Sequence, residues 1–285
     1  NHIQKIIRAI LKQAILETVH EITFQQEDEG LCVNFKKEGE LFNKGIIPKV
    51  LTASFVAKLK ILAELDPSVS EVPQLGKLSF KVDDIAVTAS ISTFPTIMGE
   101  RIFLKIYKPP KKLQEIIKTE KQLKIINNAL NEPGILLVCG SPLSGKTHII
   151  YSLLLEIASR NQNKNIMTLE SIAKYHLQGV NQCELNENIS FNMDKASRFI
   201  EFQSPDIIYL EGVKTKDTFD YFSSLVYDNK TIIMEFLANN MEDLRNKMAF
   251  SDFETLKSLI SCMIFIHSKD SIEVFDKSTV QKYIV

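Results

Sequence analysis

Cysteine is scarce and scattered. Cys32, Cys139, Cys183 and Cys262 form no CxxC pair and have no histidine pair nearby, which argues against a disulfide framework and against a zinc site. Neither sign of charge is in excess: 34 Lys and Arg stand against 35 Asp and Glu, a net charge of −1. That balance gives no general footprint for nucleic acid or a charged membrane surface, so nucleic acid is not expected as a partner. No apolar run reaches the roughly 18 residues that a membrane span needs. The N-terminal stretch carries Lys5, Arg8 and Lys12 and lacks the clean apolar core and cleavage site of a signal peptide. There is no internal repeat and no low-complexity tract. The cytoplasm is therefore the expected compartment. The chain begins at Asn1 and not at Met, which leaves upstream sequence open. Its 285 residues, 45% hydrophobic and 24% charged, suit about two ordinary globular domains.

What is present changes character along the chain. Ile3, Ile6, Ile7, Ile10, Leu11 and Ile15 recur at helical spacing. Leu31, Val33 and Phe35 alternate as one face of a strand, and Gly39 and Gly45 punctuate what reads as a following loop. A second helix is expected from about Lys49 to Leu65. Two strands joined at Asp83-Asp84 follow within Lys77 to Thr93, and another runs from Arg101 to Tyr107. These features predict an α+β domain over residues 1–108 with an antiparallel sheet. Lys108-Pro109-Pro110-Lys111-Lys112 reads as a stiff, solvated linker, or else as a loop within one domain, and the linker is placed at 109–125. Beyond a helix from about Leu113 to Leu130, short apolar runs at Gly134–Cys139, Asn165–Leu169, Asp206–Leu210, Thr231–Leu237 and Met263–Ile266 alternate with helical segments. That alternation predicts a mostly parallel α/β sheet over residues 126–285.

The first of those runs leads into Gly140-Ser141-Pro142-Leu143-Ser144-Gly145-Lys146-Thr147, a full G-x-x-x-x-G-K-[ST] P-loop between an apolar strand and an apolar-periodic helix. Such a loop turns successive N–H groups toward phosphate oxygens, and the helix N-terminus adds its dipole. Lys146 is expected on the β- and γ-phosphates and Thr147 on Mg2+, with ATP as the nucleotide. His148 follows directly and is placed with the binding loop, although a structural or solvent role fits it as well. Glu211, after the Ile-Ile-Tyr-Leu run, is expected to face the metal or the attacking water. Glu170, at the end of another strand, is a second candidate acid, or else a solvated edge residue. Asp206 opens its strand and reads as a cap or surface charge.

Several segments together resemble one family. Lys58 to Asp66 with Pro73-Gln74 and Gly76, Ser92-Thr-Phe-Pro-Thr-Ile-Met-Gly-Glu100, the P-loop, Met167-Thr-Leu-Glu170 with Tyr175 to Gln182, and Ser204 to Glu211 are similar to the secretion ATPases of type II secretion and type IV pilus assembly. The resemblance implies a RecA-like P-loop NTPase domain preceded by a smaller PAS-like α+β domain. It implies assembly as a homo-hexamer, or as a mixed ring with an active paralogue. It also implies an inner-membrane platform protein as partner and a cytoplasmic place peripheral to that membrane.

Departures from the family pattern fall on its chemistry. The acidic box Glu-Asp-Pro-x-Glu reads Glu170-Ser171-Ile172-Ala173-Lys174, and the Walker B ending Gly-Glu-x-Arg-Asp reads Glu211-Gly212-Val213-Lys214. Both histidines of the histidine box are absent around Asn229-Lys230 and Phe236-Leu237-Ala238. Glu71 and Ser90 stand where the first-domain arginines are expected. Groups that hold phosphates give binding, whereas rate comes from groups aimed at charge that develops in the transition state. The resemblance therefore points to an ATP-binding subunit with weak or absent hydrolysis. An active hexameric motor and, further off, an unrelated P-loop small-molecule kinase remain as alternatives.

Overall fold

The computed structural model describes residues 2–37, 39–82, 85–107, 109–142, 144–160, 163–186, 189–213, 215–248, 257–268 and 271–283. Asp83-Asp84, Lys108, Leu143 and Lys214 lie outside the described residues. The chain divides into two compact units, Asn1–Pro109 and Pro110–Val285.

The first unit runs α1 (His2–Leu16), β1 (Glu21–Glu27), β2 (Gly30–Lys37), β3 (Glu40–Pro48), α2 (Lys49–Leu62), β4 (Gln74–Val82), β5 (Ile85–Thr96) and β6 (Gly99–Tyr107). Its six strands pair antiparallel in the order β3-β2-β1-β6-β5-β4. Alternation decides which residues turn inward: Ile22 and Phe24 of β1 and Leu31, Val33 and Phe35 of β2 are buried in one cluster with Ile7 and Leu11 of α1 and Phe55 and Leu59 of α2. Phe24 and Phe55 pack at 5.3 Å between ring centroids. Helix α2 stops at Leu62, short of the expected Leu65, because the Ala63 N–H turns back to the carbonyls of Leu59 and Lys60 and Glu64 adopts φ 59°. The stretch expected as a loop around Gly39 and Gly45 is the edge strand β3. Eight of its nine residues are exposed, so it offers none of the apolar alternation by which a strand is recognised.

The second unit begins with α3 (Leu113–Ile116) and α4 (Glu120–Asn131), two helices where one was expected, with Thr119 as the N-cap of α4. Leu113 and Ile117 are buried in this unit's core, so residues from Pro110 onward pack with it. There follow β7 (Gly134–Gly140), α5 (Lys146–Arg160), β8 (Ile166–Glu170), β9 (Asn181–Glu184), α6 (Met193–Ile200), β10 (Ile207–Leu210), α7 (Lys216–Ser224), β11 (Thr231–Leu237), α8 (Met241–Met248), β12 (Ile260–Ser268), β13 (Ser271–Asp276) and α9 (Lys277–Tyr283). The sheet order is β13-β12-β7-β11-β10-β8-β9, parallel throughout except for the β12–β13 pair.

Both faces of this sheet are covered, which is why its strands read as unbroken apolar runs. On β7, Ile135, Leu137 and Cys139 enter the cluster with Phe219, Phe222 and Leu244, while Leu136 and Val138 enter the opposite cluster with Ile150 and Leu153 of α5. The parallel register brings the C-terminal ends of β7, β11, β10 and β8 to one edge of the sheet. The described P-loop residues, Glu170 and Glu211 lie at or just beyond that edge. None of the described helices is long and apolar enough to cross a membrane.

Candidate functional site

Strand β7 ends at Gly140, and α5 begins at Lys146. Two glycines make the intervening loop possible. A Cβ on Gly140 would lie 2.6 Å from the Ile266 carbonyl oxygen and 2.5 Å from Ser144 Oγ, so β7 approaches β12 here at a distance that only glycine permits. Gly145 adopts φ +105°, which L side chains rarely take, and it lets the chain swing into the helix. Its carbonyl then accepts the N–H groups of His148 and Ile149, at 3.0 and 3.2 Å. Lys146 is buried; its ammonium donates to the Gly140 and Ser141 carbonyls at 3.0 and 2.8 Å. Ser144 Oγ is buried with no hydrogen-bond partner among the described residues. An orphaned hydroxyl, a buried ammonium and a helix N-terminus in one glycine-turned loop form a donor set that fits phosphate oxygens. Ser141, Thr147 and His148 are partly exposed along it and Pro142 is exposed.

A second polar layer occupies the ends of β8 and β10. Glu170 is fully buried: its Oε2 accepts the Tyr151 hydroxyl and its Oε1 accepts Thr168 Oγ1 at 2.7 Å. Burial raises the Glu170 pKa, while the ammonium of Lys174, 3.9 Å away, and the two hydroxyls oppose that rise. Glu211 has both oxygens engaged. Oε1 pairs with the Lys174 ammonium, and Oε2 accepts the backbone N–H and the hydroxyl of Ser171, both at 2.6 Å. Burial alone would raise the Glu211 pKa, but Lys174 and Ser171 outweigh it and hold the carboxylate below its usual range. The Tyr151 hydroxyl, whose own pKa is raised by burial and by Glu170, accepts the Lys174 backbone N–H at 2.8 Å.

The two layers meet at a residue that no sequence motif pointed to. Glu235, on β11, stands in register with Val138, two residues before the β7 strand gives way to the loop. Its Oε1 lies 3.9 Å from Lys146 Nζ, and its Oε2 accepts the Tyr209 hydroxyl at 3.0 Å. Burial raises its pKa, with Lys146 opposing. Within the run Thr231–Leu237 it looked like one polar residue in a buried strand. A lone acid in such a run is the only signal the sequence carried for it.

The candidate residues therefore divide. Gly140, Ser141, Pro142, Ser144, Gly145, Lys146, Thr147 and His148 form one contiguous loop and helix start, with Leu143 outside the described residues. Glu170 is a buried member of a hydrogen-bonded layer and not a solvated edge residue. Glu211 is tied to Lys174 and Ser171, which leaves it no oxygen without a partner for a metal. Asp206 accepts the Asn165 N–H at 2.7 Å, as a cap would. Of the positions expected to carry arginine, Glu71 is exposed and bonds its neighbour Ser70, and Ser90 shares a 2.9 Å hydrogen bond with Tyr107. No cluster of three or more His, Cys, Asp or Glu side chains able to hold a metal occurs among the described residues. Thr147, partly exposed at the start of α5, carries a hydroxyl oxygen of the kind that Mg2+ takes.

The family described as Type II/IV secretion system protein matches residues 1–224. The Type II secretion system protein E of Pseudomonas aeruginosa is 31% identical over 218 residues, which are 75% of this chain and 43% of that protein. The chain thus spans less than half the length of that relative. Among solved structures, the ATPase DotB of Legionella pneumophila superposes with a TM-score of 0.67 at 14% identity, covering 91% of this chain and 75% of DotB. The pilus retraction motor PilT with bound ADP superposes with a TM-score of 0.68 at 16% identity, covering 96% of this chain and 85% of PilT. These two share the fold. The chain belongs to the Type II/IV secretion system protein family.

Proposed function

We propose that this chain is a nucleotide-binding subunit of a type II secretion or type IV pilus assembly machine, with weak or absent ATP hydrolysis. In this reading the second unit is a RecA-like nucleotide-binding domain, and the first is a PAS-like domain. The protein takes its place in the cytoplasm, in a homo-hexamer or a mixed ring with an active paralogue, against an inner-membrane platform protein. ATP sits on the loop from Gly140 to Thr147. Mg2+, bound there, would neutralise phosphate charge. Lys146 and the loop N–H groups hold the phosphates, and Ser144 contributes its hydroxyl.

The observation that carries the reading is the closed state of Glu211. A carboxylate that orients water or metal needs an oxygen to offer. Here one oxygen faces the Lys174 ammonium and the other is filled by Ser171. The two departures from the family pattern, a base at 174 and an acid at 211, complement each other as an ion pair. The group that would drive hydrolysis has become a structural one, while the P-loop keeps its glycines, lysine and threonine.

An active motor is the second reading, and one observation favours it: the P-loop keeps its glycines, lysine and threonine in full. Steady-state ATP turnover per subunit over a range of protein concentrations, with Lys146→Ala as the blank, separates the two. The expected result is turnover equal to the blank in protein that binds nucleotide. Turnover that rises per subunit with concentration and disappears in the blank would establish the motor.

A further inference from the structure

We propose that Glu235 makes this P-loop selective for a nucleoside diphosphate over the corresponding triphosphate. The inference rests on the P-loop as the nucleotide site and names the ligand class that site prefers.

The argument begins with position. Glu235 is only 15% exposed and is pinned from both sides, by the Tyr209 hydroxyl on one oxygen and by Lys146 near the other. Tyr209 is itself fully buried in the sheet, so it anchors the carboxylate at the floor of the loop. Lys146 is the P-loop side chain that reaches the β- and γ-phosphates. A γ-phosphate would thus have to share that ammonium with a carboxylate already beside it. It would also bring its own negative charge close to a fixed one in a poorly solvated place, where like charges repel strongly.

The charge inventory of the layer points the same way. Glu170, Glu211 and Glu235 stand against Lys146 and Lys174, and the Lys174 ammonium is committed to Glu211. Among the described members of this layer three acids stand against two bases, and both ammonium groups already face a carboxylate. The β-phosphate is served differently. It meets the loop N–H groups and the N-terminus of α5, which carry partial positive charge and do not depend on Lys146 alone. Charge crowding at Glu235 therefore falls on the γ-phosphate far more than on the β-phosphate.

The test is a pair of dissociation constants. ADP and ATP are titrated separately, both with Mg2+, against the full chain and against Glu235→Gln, by calorimetry or by displacement of a fluorescent ADP. The wild-type protein should bind ADP at least about tenfold more tightly than ATP, the effect of one poorly screened charge. Glutamine has nearly the shape of glutamate and still accepts from Tyr209. Glu235→Gln should therefore bring the ratio to within about threefold of unity, chiefly by tightening ATP. Equal wild-type affinities, or a ratio that the substitution does not move, would overturn the proposal. The wild-type ratio decides the matter alone if the variant does not fold. Binding of neither nucleotide, with Lys146→Ala indistinguishable from wild type, is a different outcome that overturns the P-loop reading itself. Equal binding that Lys146→Ala abolishes leaves that reading in place and removes only the selectivity.

Discussion

Two neighbouring regions at one edge of the same sheet have opposite character. Around β7 and α5 a polar group remains available: Ser144 Oγ is buried without a hydrogen-bond partner among the described residues, while Lys146 is held by carbonyls of its own loop. Around β8 and β10 the valences are filled: Glu170 accepts two hydroxyls, and Glu211 accepts an ammonium, an N–H and a hydroxyl. A buried polar group costs free energy until it is paired, so the first region stores a demand for a ligand and the second stores none. The contrast separates nucleotide binding from the chemistry that would follow it.

The largest expected effect tests the available region. Lys146→Ala removes the ammonium and should weaken nucleotide binding about a hundredfold or more by calorimetry. Glu211→Ala, in the filled region, should leave affinity within about threefold. Comparable losses in both would erase the distinction, because they would mean that Glu211 takes part in holding nucleotide.

Next in size is the stability of the filled region. Lys174→Met leaves Glu211 without its cation, and Glu170 without its nearby positive charge. Urea unfolding should show a loss of about 3 kcal/mol, the usual cost of breaking a buried pair from one side. Lys174→Met combined with Glu211→Gln should recover most of that loss, because both halves of the pair are then neutral. An additive double variant would show that the two side chains do not act as a pair.

A smaller effect follows from titration. Glu211 has a folded pKa below its ordinary value of 4.5. Its contribution to stability is therefore complete above about pH 4.5 and is lost as pH falls through the lowered value. The urea midpoint of wild type should drop over that acid range, and Glu211→Gln should flatten the drop. Glu170 and Glu235 act with the opposite sign. Their folded values are raised by burial, with Lys174 and Lys146 opposing the rise, so their contribution is present below the ordinary value of 4.5 and fades as pH rises through the raised ones. An acid-side slope identical in wild type and Glu211→Gln would deny that Lys174 and Ser171 hold the carboxylate charged.

The strand, glycine-rich loop and helix of the available region were legible in the sequence, while the pairings of the filled region were not, for a physical reason. A P-loop is local: its glycines, lysine and threonine lie within eight residues, and its strand and helix adjoin it. The pairing of Lys174 with Glu211 spans 37 residues and exists only because β8 and β10 are hydrogen-bonded neighbours in register. Read along the chain, Lys174 was a lost acid and Glu211 a displaced one; in space each explains the other. Glu235 was hidden by its strand, since an acid in an apolar run discloses neither its face nor its neighbours. Of the strands for which no pattern was read, β3, β9 and β13 lie at sheet edges, where burial is too partial to impose the apolar spacing that marks inner strands, whereas β1 is an inner strand whose apolar alternation is confined to Ile22 and Phe24.

The finest comparison is between two glycines. Gly140 sits where a Cβ would meet the backbone oxygen of Ile266 at 2.6 Å, so Gly140→Ala must displace β12 or the loop and should weaken nucleotide binding along with stability. Gly212, directly after Glu211, has φ +64°, and a Cβ added there would meet nothing within 4 Å among the described residues. Its demand is conformational alone, and Gly212→Ala should cost about 1 kcal/mol in urea unfolding and leave nucleotide affinity unchanged. The same backbone angle bears on the displaced acid. A glutamate at 212 would carry the left-handed strain while Glu211 still held Lys174, so Gly212→Glu should by itself raise ATP turnover little. Removing the ion pair with Lys174→Glu and Glu211→Gly in the same chain should raise it further, because the carboxylate at 212 would then be free of the Lys174 ammonium. Turnover as high in Gly212→Glu alone as in the triple variant would show that the Lys174–Glu211 pair does not restrain catalysis.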